Sequence, residues 1–130
     1  MKNILYKRST IRTPEIIFNP ESNLFIMQGK SLPEDADRFY KPYKNWLKEY
    51  FSNDVEECFF ILDFVYFNSS STKIIFDLLT IVKEAIQRGN KINVVWRYEE
   101  DDEELMNAGK EIQEFINIPM RIECKKLEEA

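Results

Sequence analysis

The sequence predicts a single α/β domain in which helices pack on a mixed, partly parallel β-sheet. Three observations support this fold class. A chain of 130 residues with 44% hydrophobic residues is long enough to bury one core. Short apolar segments alternate with amphipathic segments of helical spacing, in the order β-β-α-β-α-β-α-β. With only three Gly and five Pro there is little room for flexible linkers, so we expect the domain to span residues 1–130.

The N-terminal region predicts a β-hairpin. Residues 1–12 are polar and basic, so we expect either an arm or an edge strand there. The segments 15–18 and 24–28 are short and apolar, and the residues at 19–23 between them are of the types that form turns. This spacing indicates two strands joined by a five-residue loop.

The first helix is predicted to begin at a capping box. The segment Ser31-Leu32-Pro33-Glu34 places a Ser three residues before a Glu and supplies a Pro suited to a helix start. Pro42 interrupts the helical pattern, so we expect a kink or two short helices. We expect the aromatic side chains of this segment in the core, with one or two left exposed for a partner: Phe39, Tyr40, Tyr43, Trp46 and Tyr50.

The most hydrophobic segment, 56–67, is predicted to be a central strand. Its alternating positions are apolar on both faces, which is typical of a strand covered on both sides. Asp63 lies within it, and a buried carboxylate is costly unless it is paired. Two interpretations stay open for Asp63: a partnered structural group, or a part of a modification site near the edge of the sheet.

The remaining elements follow in alternation. An amphipathic helix at 71–88 ends at Gly89, and a strand is predicted at 92–96. A helix at 101–116 has acidic residues in its first turn, as the helix dipole prefers, with an apolar face on Leu105, Ala108, Ile112 and Phe115. A strand at 120–124 closes the sheet, and we expect a frayed tail at 125–130.

Composition disfavours several functional classes. The net charge of −5 and the lack of a basic stripe argue against nucleic-acid binding. No apolar stretch is long enough for a membrane helix, and the N-terminus lacks a signal-peptide pattern, so we expect a cytoplasmic protein with no membrane partner. The chain has no histidine, which excludes Ser-His-Asp and Cys-His catalysis. We therefore predict a protein that is not an enzyme and needs no cofactor.

The potential metal ligands are poorly placed in the sequence. Cys58 and Cys124 are far apart and lack CxxC spacing, so buried thiols are favoured over a disulfide or a metal site. The acidic run from Glu99 to Glu104 permits three interpretations: a solvated helix start, a docking patch, or a metal site. Because consecutive residues fan out around a helix, they do not converge on one ion, and we predict no metal.

The Ser-rich segment 68–73 is the first candidate for a functional site. It lies between the end of the predicted central strand and the start of a helix, an edge where functional loops of such sheets cluster. We expect one of the later hydroxyls to cap the helix and the earlier ones to project from the turn. A phosphate here would meet free N–H groups and the positive end of the helix dipole. The alternative is that the segment is only a cap and turn.

Several separated motifs, in this order, resemble the SiaC family of bacterial regulatory phosphoproteins, whose fold is similar to the STAS domain of anti-sigma factor antagonists. They are Thr13-Pro14-Glu15-Ile16 with Phe18; Gly29-Lys30-Ser31 with Pro33-Glu34; Phe39-Tyr40 with Pro42; Trp46-Leu47 with Tyr50; Tyr66 with Asn68-Ser69-Ser70-Ser71 and Lys73; and Val95-Trp96 with Tyr98-Glu99-Glu100-Asp101-Asp102 and Gly109.

The resemblance implies a phosphorylation-controlled partner switch. In that family the turn usually reads Asn-Thr-Ser-Ser and the Thr is phosphorylated; the matching residue here is Ser69, with Ser70, Ser71 and Thr72 as neighbouring candidates. The resemblance further implies a cognate Ser/Thr kinase, a PP2C-like phosphatase and a downstream effector, which is a diguanylate cyclase in the characterised branch. We assign partner binding to Asn68, Ser69, Ser70, Lys73, Glu99, Glu100, Asp101 and Asp102.

Two other functions compete with this switch. A constitutive interaction module would use the same surface without modification of Ser69. A small metal-dependent hydrolase would use the acidic run, and the missing histidine argues against it.

Overall fold

The computed structural model describes residues 3–125, which form one six-stranded sheet and three helices. The elements in chain order are β1 (Leu5–Lys7), β2 (Glu15–Asn19), β3 (Leu24–Ser31), α1 (Ala36–Phe51), β4 (Cys58–Phe67), α2 (Ser69–Gln87), β5 (Ile92–Glu99), α3 (Glu103–Ile116) and β6 (Met120–Lys125). The predicted alternation is confirmed, with the edge strand β1 before it. Apart from Lys125, the tail predicted to fray lies outside the described residues.

The strands are arranged in the sheet in the same order as in the chain, β1-β2-β3-β4-β5-β6. β1, β2 and β3 pair antiparallel, and β3 to β6 pair parallel. Each parallel connection contains one helix. Crossovers of this kind are right-handed, so three of them running in one direction place every helix on the same face of the sheet. The other face, which we call the open face, carries no helix from residues 3–125.

This one-sided arrangement corrects the prediction for segment 56–67. β4 does lie between β3 and β5, and Phe60, Leu62 and Phe64 are completely or almost completely buried under the helices. However, Phe59 and Val65 on the open face are 48% and 45% exposed, so the strand is not buried on both faces. The apolar residues on both faces of β4 indicated that both faces are covered. With this strand order, however, all three helices lie on one face of the sheet.

A β-bulge near the end of β4 changes which side chains enter the core. The register with β3 shifts between Gly29 and Lys30, so Val65 has no partner residue on β3. Beyond the bulge, Tyr66 is 57% exposed, whereas the Phe67 ring packs 5.9 Å from the Trp96 ring in the core. The alternation of the segment predicts Tyr66 on the same face as Phe64 and Phe67 on the same face as Phe59. This prediction is wrong, because an extra residue inverts the pattern.

Helix α1 begins later than the capping box predicted. Its N-cap is Asp35, whose carboxylate accepts a hydrogen bond from the Arg38 N–H at 3.2 Å, and Ser31 instead ends β3 as a buried residue. Pro42 lies inside one continuous helix, so the alternative of two short helices is wrong. Of the aromatic set, Tyr40 is buried and the others are half-buried against the core, and none is exposed.

Helix α3 packs on the sheet through Leu105, Gly109, Ile112 and Ile116. Phe115, expected on this face, is 79% exposed, because its position on the helix turns it away from the sheet. No helix within residues 3–125 is long and apolar enough to cross a membrane. Both cysteines are free thiols, with Cys58 buried and Cys124 half-buried.

Candidate functional site

The Ser-rich segment forms the first turn of α2, directly after the central strand β4. The helix begins at Ser69, and its N-cap is Asn68. The Asn68 side-chain oxygen accepts hydrogen bonds from the Ser71 N–H and from the Ser70 hydroxyl, both at 3.0 Å. The expectation that a serine or threonine caps this helix is therefore wrong: the amide side chain of the preceding residue does so.

The four hydroxyls of the turn have different environments. Ser69 is exposed, and no hydrogen-bond partner for its hydroxyl is found in the described part of the chain. Ser70 is exposed but bound to Asn68, and Thr72 is half-buried with its hydroxyl 3.5 Å from the Asn68 carbonyl oxygen. Ser71 is completely buried. Ser69 thus has an exposed hydroxyl without a partner in residues 3–125, whereas Ser71 is out of reach of a modifying enzyme.

Ser71 belongs to a buried hydroxyl network beneath the turn. Its Oγ lies 2.8 Å from the Ser31 Oγ and donates to the Ser31 carbonyl oxygen at 3.0 Å. The Ser31 Oγ also lies 2.6 Å from the Tyr40 hydroxyl. Burial raises the pKa of Tyr40 to about 12, so its hydroxyl stays protonated and can donate. The network joins the end of β3, α1 and the start of α2.

Sequence reasoning did not identify this network. Ser31 and Ser71 are forty positions apart, and the contact depends on the parallel pairing of β3 with β4. A local pattern carries no signal for such a contact. The only hint was that both residues belong to motifs of the family resemblance.

Lys73 lies one helical turn after Ser69, on the same side of α2. Its ammonium group is 3.9 Å from the Asp37 carboxylate of α1, and both side chains are more than two-thirds exposed. Asn68, Ser69, Ser70 and Lys73 therefore form one continuous surface at the start of α2.

The acidic run begins at the end of β5 and leads into α3. Asp102 is the N-cap of α3, and its carboxylate accepts a hydrogen bond from the Leu105 N–H at 2.9 Å. Within residues 3–125, the other acidic side chains of the run have no cationic group within 4 Å: Glu99, Glu100, Asp101, Glu103 and Glu104. In the same residues, no three or more acidic or cysteine side chains are placed so that together they could hold a metal ion.

The turn and the acidic run lie at the same edge of the sheet, because β4 and β5 are adjacent and parallel. A groove of about 190 Å³ lies at this edge, between the end of β4, with Val65, Tyr66 and Phe67, and the first turns of α3. Of the predicted partner-binding residues, Asp102 lines this groove, whereas those at the start of α2 do not.

Asp63 is not part of this site. It lies on the open face, where its carboxylate is 3.3 Å from the Arg97 guanidinium and 2.7 Å from the Lys125 ammonium. These two cations compensate the burial of the carboxylate. Of the two interpretations of Asp63, the geometry favours the partnered structural group.

Comparison with known proteins gives consistent matches over nearly the whole chain. Residues 7–125 match the family model described as SiaC family regulatory phosphoprotein. An uncharacterized protein of Pseudomonas aeruginosa is 26% identical over 120 residues, which cover 92% of this chain and 95% of that protein.

Solved structures match with the same coverage. SiaC of Pseudomonas aeruginosa has a TM-score of 0.85 at 26% identity, covering 95% of this chain and 100% of that one. The crystal structure of the diguanylate cyclase SiaD in complex with its activator SiaC, also from Pseudomonas aeruginosa, contains a chain that matches with a TM-score of 0.86 at 26% identity. This match covers 93% of the present chain and 99% of that one.

Proposed function

Because the chain belongs to the SiaC family of regulatory phosphoproteins, we propose that it is a partner switch controlled by phosphorylation of Ser69. The observation that carries the proposal is the division of tasks at the start of α2. Asn68 caps the helix, while Ser69 presents an exposed hydroxyl with no partner in the described residues. Because the Ser69 hydroxyl makes no hydrogen bond that holds the turn, it can be modified without unfolding the turn.

The proposed cycle needs two enzymes. A cognate Ser/Thr kinase transfers phosphate to the Ser69 hydroxyl, and a PP2C-like phosphatase removes it. The phosphate brings a charge of about −1.5 to −2 at neutral pH. At the first position of a helix this charge lies at the positive end of the dipole, so the fold accommodates it while the surface changes strongly.

The third partner is a downstream effector that binds the unphosphorylated form. A chain of similar fold is an activator in complex with a diguanylate cyclase, so we infer that the effector here is also a diguanylate cyclase. The chain itself performs no chemistry in this scheme and acts in the cytoplasm by binding. Phosphate on Ser69 weakens the complex, because a desolvated charge at an interface can cost several kcal/mol.

Intact-mass measurement of the protein purified from its native cells tests the switch. We expect a second species heavier by about 80 Da, with fragmentation placing the phosphate on Ser69. Ser69→Ala should abolish that species, and Ser70→Ala, at the neighbouring exposed hydroxyl, is the matched control that should retain it.

The second measurement is binding of both forms to the same purified cyclase. We expect the unmodified protein to bind at least about a hundredfold more tightly. Equal affinities, or phosphate found only on Ser70 or Thr72, would contradict the proposal. A protein that is never phosphorylated and still binds would be a constitutive interaction module instead.

A further inference from the structure

Lys73 is placed to bind the phosphate that modification would add to Ser69. Residues four apart on a helix are neighbours, with Cβ atoms about 5–6 Å apart, and Ser69 and Lys73 both belong to α2. We propose that Lys73 is the phosphate-binding residue of the switch, and that its ammonium group leaves Asp37 of α1 when Ser69 is phosphorylated. This inference rests on the proposed function and deepens it.

The present partner of Lys73 holds it only weakly. The Lys73 ammonium lies 3.9 Å from the Asp37 carboxylate, and the two side chains are 72% and 71% exposed. An ion pair this long and this exposed to solvent contributes little to stability. Lys73 can therefore change partner at small cost.

The packing of α1 on α2 does not depend on the Lys73 contact. Further along the same two helices, Lys44 and Asp77 form a closer ion pair, at 3.1 Å, with much less exposed side chains. The buried Tyr40–Ser31–Ser71 hydroxyl network also connects α1 with the start of α2. The helices are thus held by other contacts while Lys73 moves.

Charge favours the phosphate over Asp37 as the partner of Lys73. A phosphate carries about −1.5 to −2 charge and three acceptor oxygens, whereas a carboxylate carries −1. The order also matters, because an acidic group four residues before a lysine is the favourable orientation on a helix. Phosphorylation would then draw the Lys73 ammonium onto the phosphate and leave Asp37 unpaired. A partner that recognises Lys73 would lose its contact and meet a carboxylate instead.

Two other cationic side chains, Lys30 near the end of β3 and Arg38 in the first turn of α1, could bind the phosphate instead. Lys30 precedes Ser31, whose carbonyl oxygen accepts a hydrogen bond from the Asn68 N–H at 3.1 Å. Arg38 follows Asp37 in the first turn of α1. Both side chains are exposed, so their variants serve as matched controls.

The test titrates the phosphate itself. Phosphoserine is placed at position 69 during synthesis of the full chain, and the second pKa of the phosphate is measured by ³¹P NMR. Lys73→Met should raise this pKa by about 0.3 units, the amount expected for the loss of one helical ion pair. Lys73→Arg should restore most of the effect, and Asp37→Asn should lower the pKa slightly by releasing Lys73. Lys30→Met and Arg38→Met should change it by less than about 0.1.

The outcomes separate cleanly. No change in the phosphate pKa with Lys73→Met, or a larger change with Lys30→Met or Arg38→Met, would overturn the assignment of Lys73. The measurement uses no kinase, so it can succeed even if the cells never phosphorylate Ser69. Conversely, phosphate found on Ser69 in cells together with an unresponsive Lys73 variant would refute only this inference.

Discussion

Neighbouring hydroxyls at the start of α2 differ in the structural task that each performs. The Ser71 hydroxyl is buried in a network with Ser31 and Tyr40, and the Ser70 hydroxyl is bound to Asn68. The Ser69 hydroxyl has no such partner in residues 3–125. A structural task makes a hydroxyl costly to remove, and the lack of one leaves Ser69 open to modification.

Two alanine variants distinguish the N-cap residue Asn68 from the exposed Ser69. Ser69→Ala should change the free energy of unfolding by no more than about 0.5 kcal/mol, since an exposed hydroxyl without a partner is worth little. Asn68→Ala removes the N-cap and should cost about 1 kcal/mol. Urea denaturation of both variants measures the difference. A larger loss with Ser69→Ala than with Asn68→Ala would show that the capping assignment is wrong.

The position of the candidate site was predictable from the sequence, but its internal order was not. Apolar residues up to Phe67 followed by Ser and Thr predicted a turn between a buried strand and a helix that begins at 71; in the structure α2 begins at Ser69, so these residues form its first turn. Which hydroxyl is buried depends on Ser31, forty positions away from Ser71, and no local pattern encodes that contact. The roles of the neighbouring residues in partner binding stay predictions.

At the scale of elements, hydrophobic periodicity predicted the helices and the strands from β2 onward. It failed where a single residue changes the geometry. The bulge at Val65 inverts the alternation of Tyr66 and Phe67, and Asp35 caps α1 where a capping box at Ser31 was expected. Periodicity also could not reveal that β4 is covered on one face only, because that depends on strand order.

The contact between α3 and β5 depends on a glycine. A Cβ built on Gly109 would lie 2.4 Å from Cδ1 of Trp96, far closer than carbon atoms can approach. The Trp96 indole is fixed at this place, since its N–H donates to the Leu105 carbonyl oxygen at 3.0 Å. Only a residue without a side chain lets α3 pack this closely on the sheet.

Gly109→Ala should therefore destabilise the protein, although alanine ordinarily stabilises a helix relative to glycine by about 1 kcal/mol. We expect a net loss of about 1–3 kcal/mol from overpacking against Trp96. Thermal unfolding followed by circular dichroism measures it. Asn107→Ala, at an exposed position of the same helix, is the matched control and should be neutral or slightly stabilising. An increase in stability with Gly109→Ala would mean that α3 and β5 are farther apart.

At the scale of the whole molecule, the strand order determines both the covered face and the position of the site. Because β4 and β5 are parallel neighbours, the start of α2 and the acidic run lie at the same edge of the sheet. The three helices cover one face of the sheet. Ser69 thus lies at the surface, while the core is behind it. This arrangement allows a surface charge to change while the packing stays intact.

Cys58 reports whether the packing does stay intact. Its thiol is completely buried at the start of β4, and burial raises its pKa to about 11. At pH 8 the folded thiol is both protonated and inaccessible, so it reacts with a thiol reagent only after the core opens. In a Cys124→Ser background, we expect labelling of Cys58 to be at least about a thousandfold slower than in urea, as for global unfolding of a stable domain.

The same labelling rate tests the claim that the switch acts without loosening the fold. Ser69→Asp mimics the phosphate only in part, but it places a negative charge at the positive end of the α2 dipole, where about 0.3–1 kcal/mol of stabilisation is expected. Labelling of Cys58 should therefore become about two- to fivefold slower, whereas Gly109→Ala should make it clearly faster. Labelling that speeds up with Ser69→Asp would mean that the charge loosens the core, and a switch confined to the surface would then be wrong.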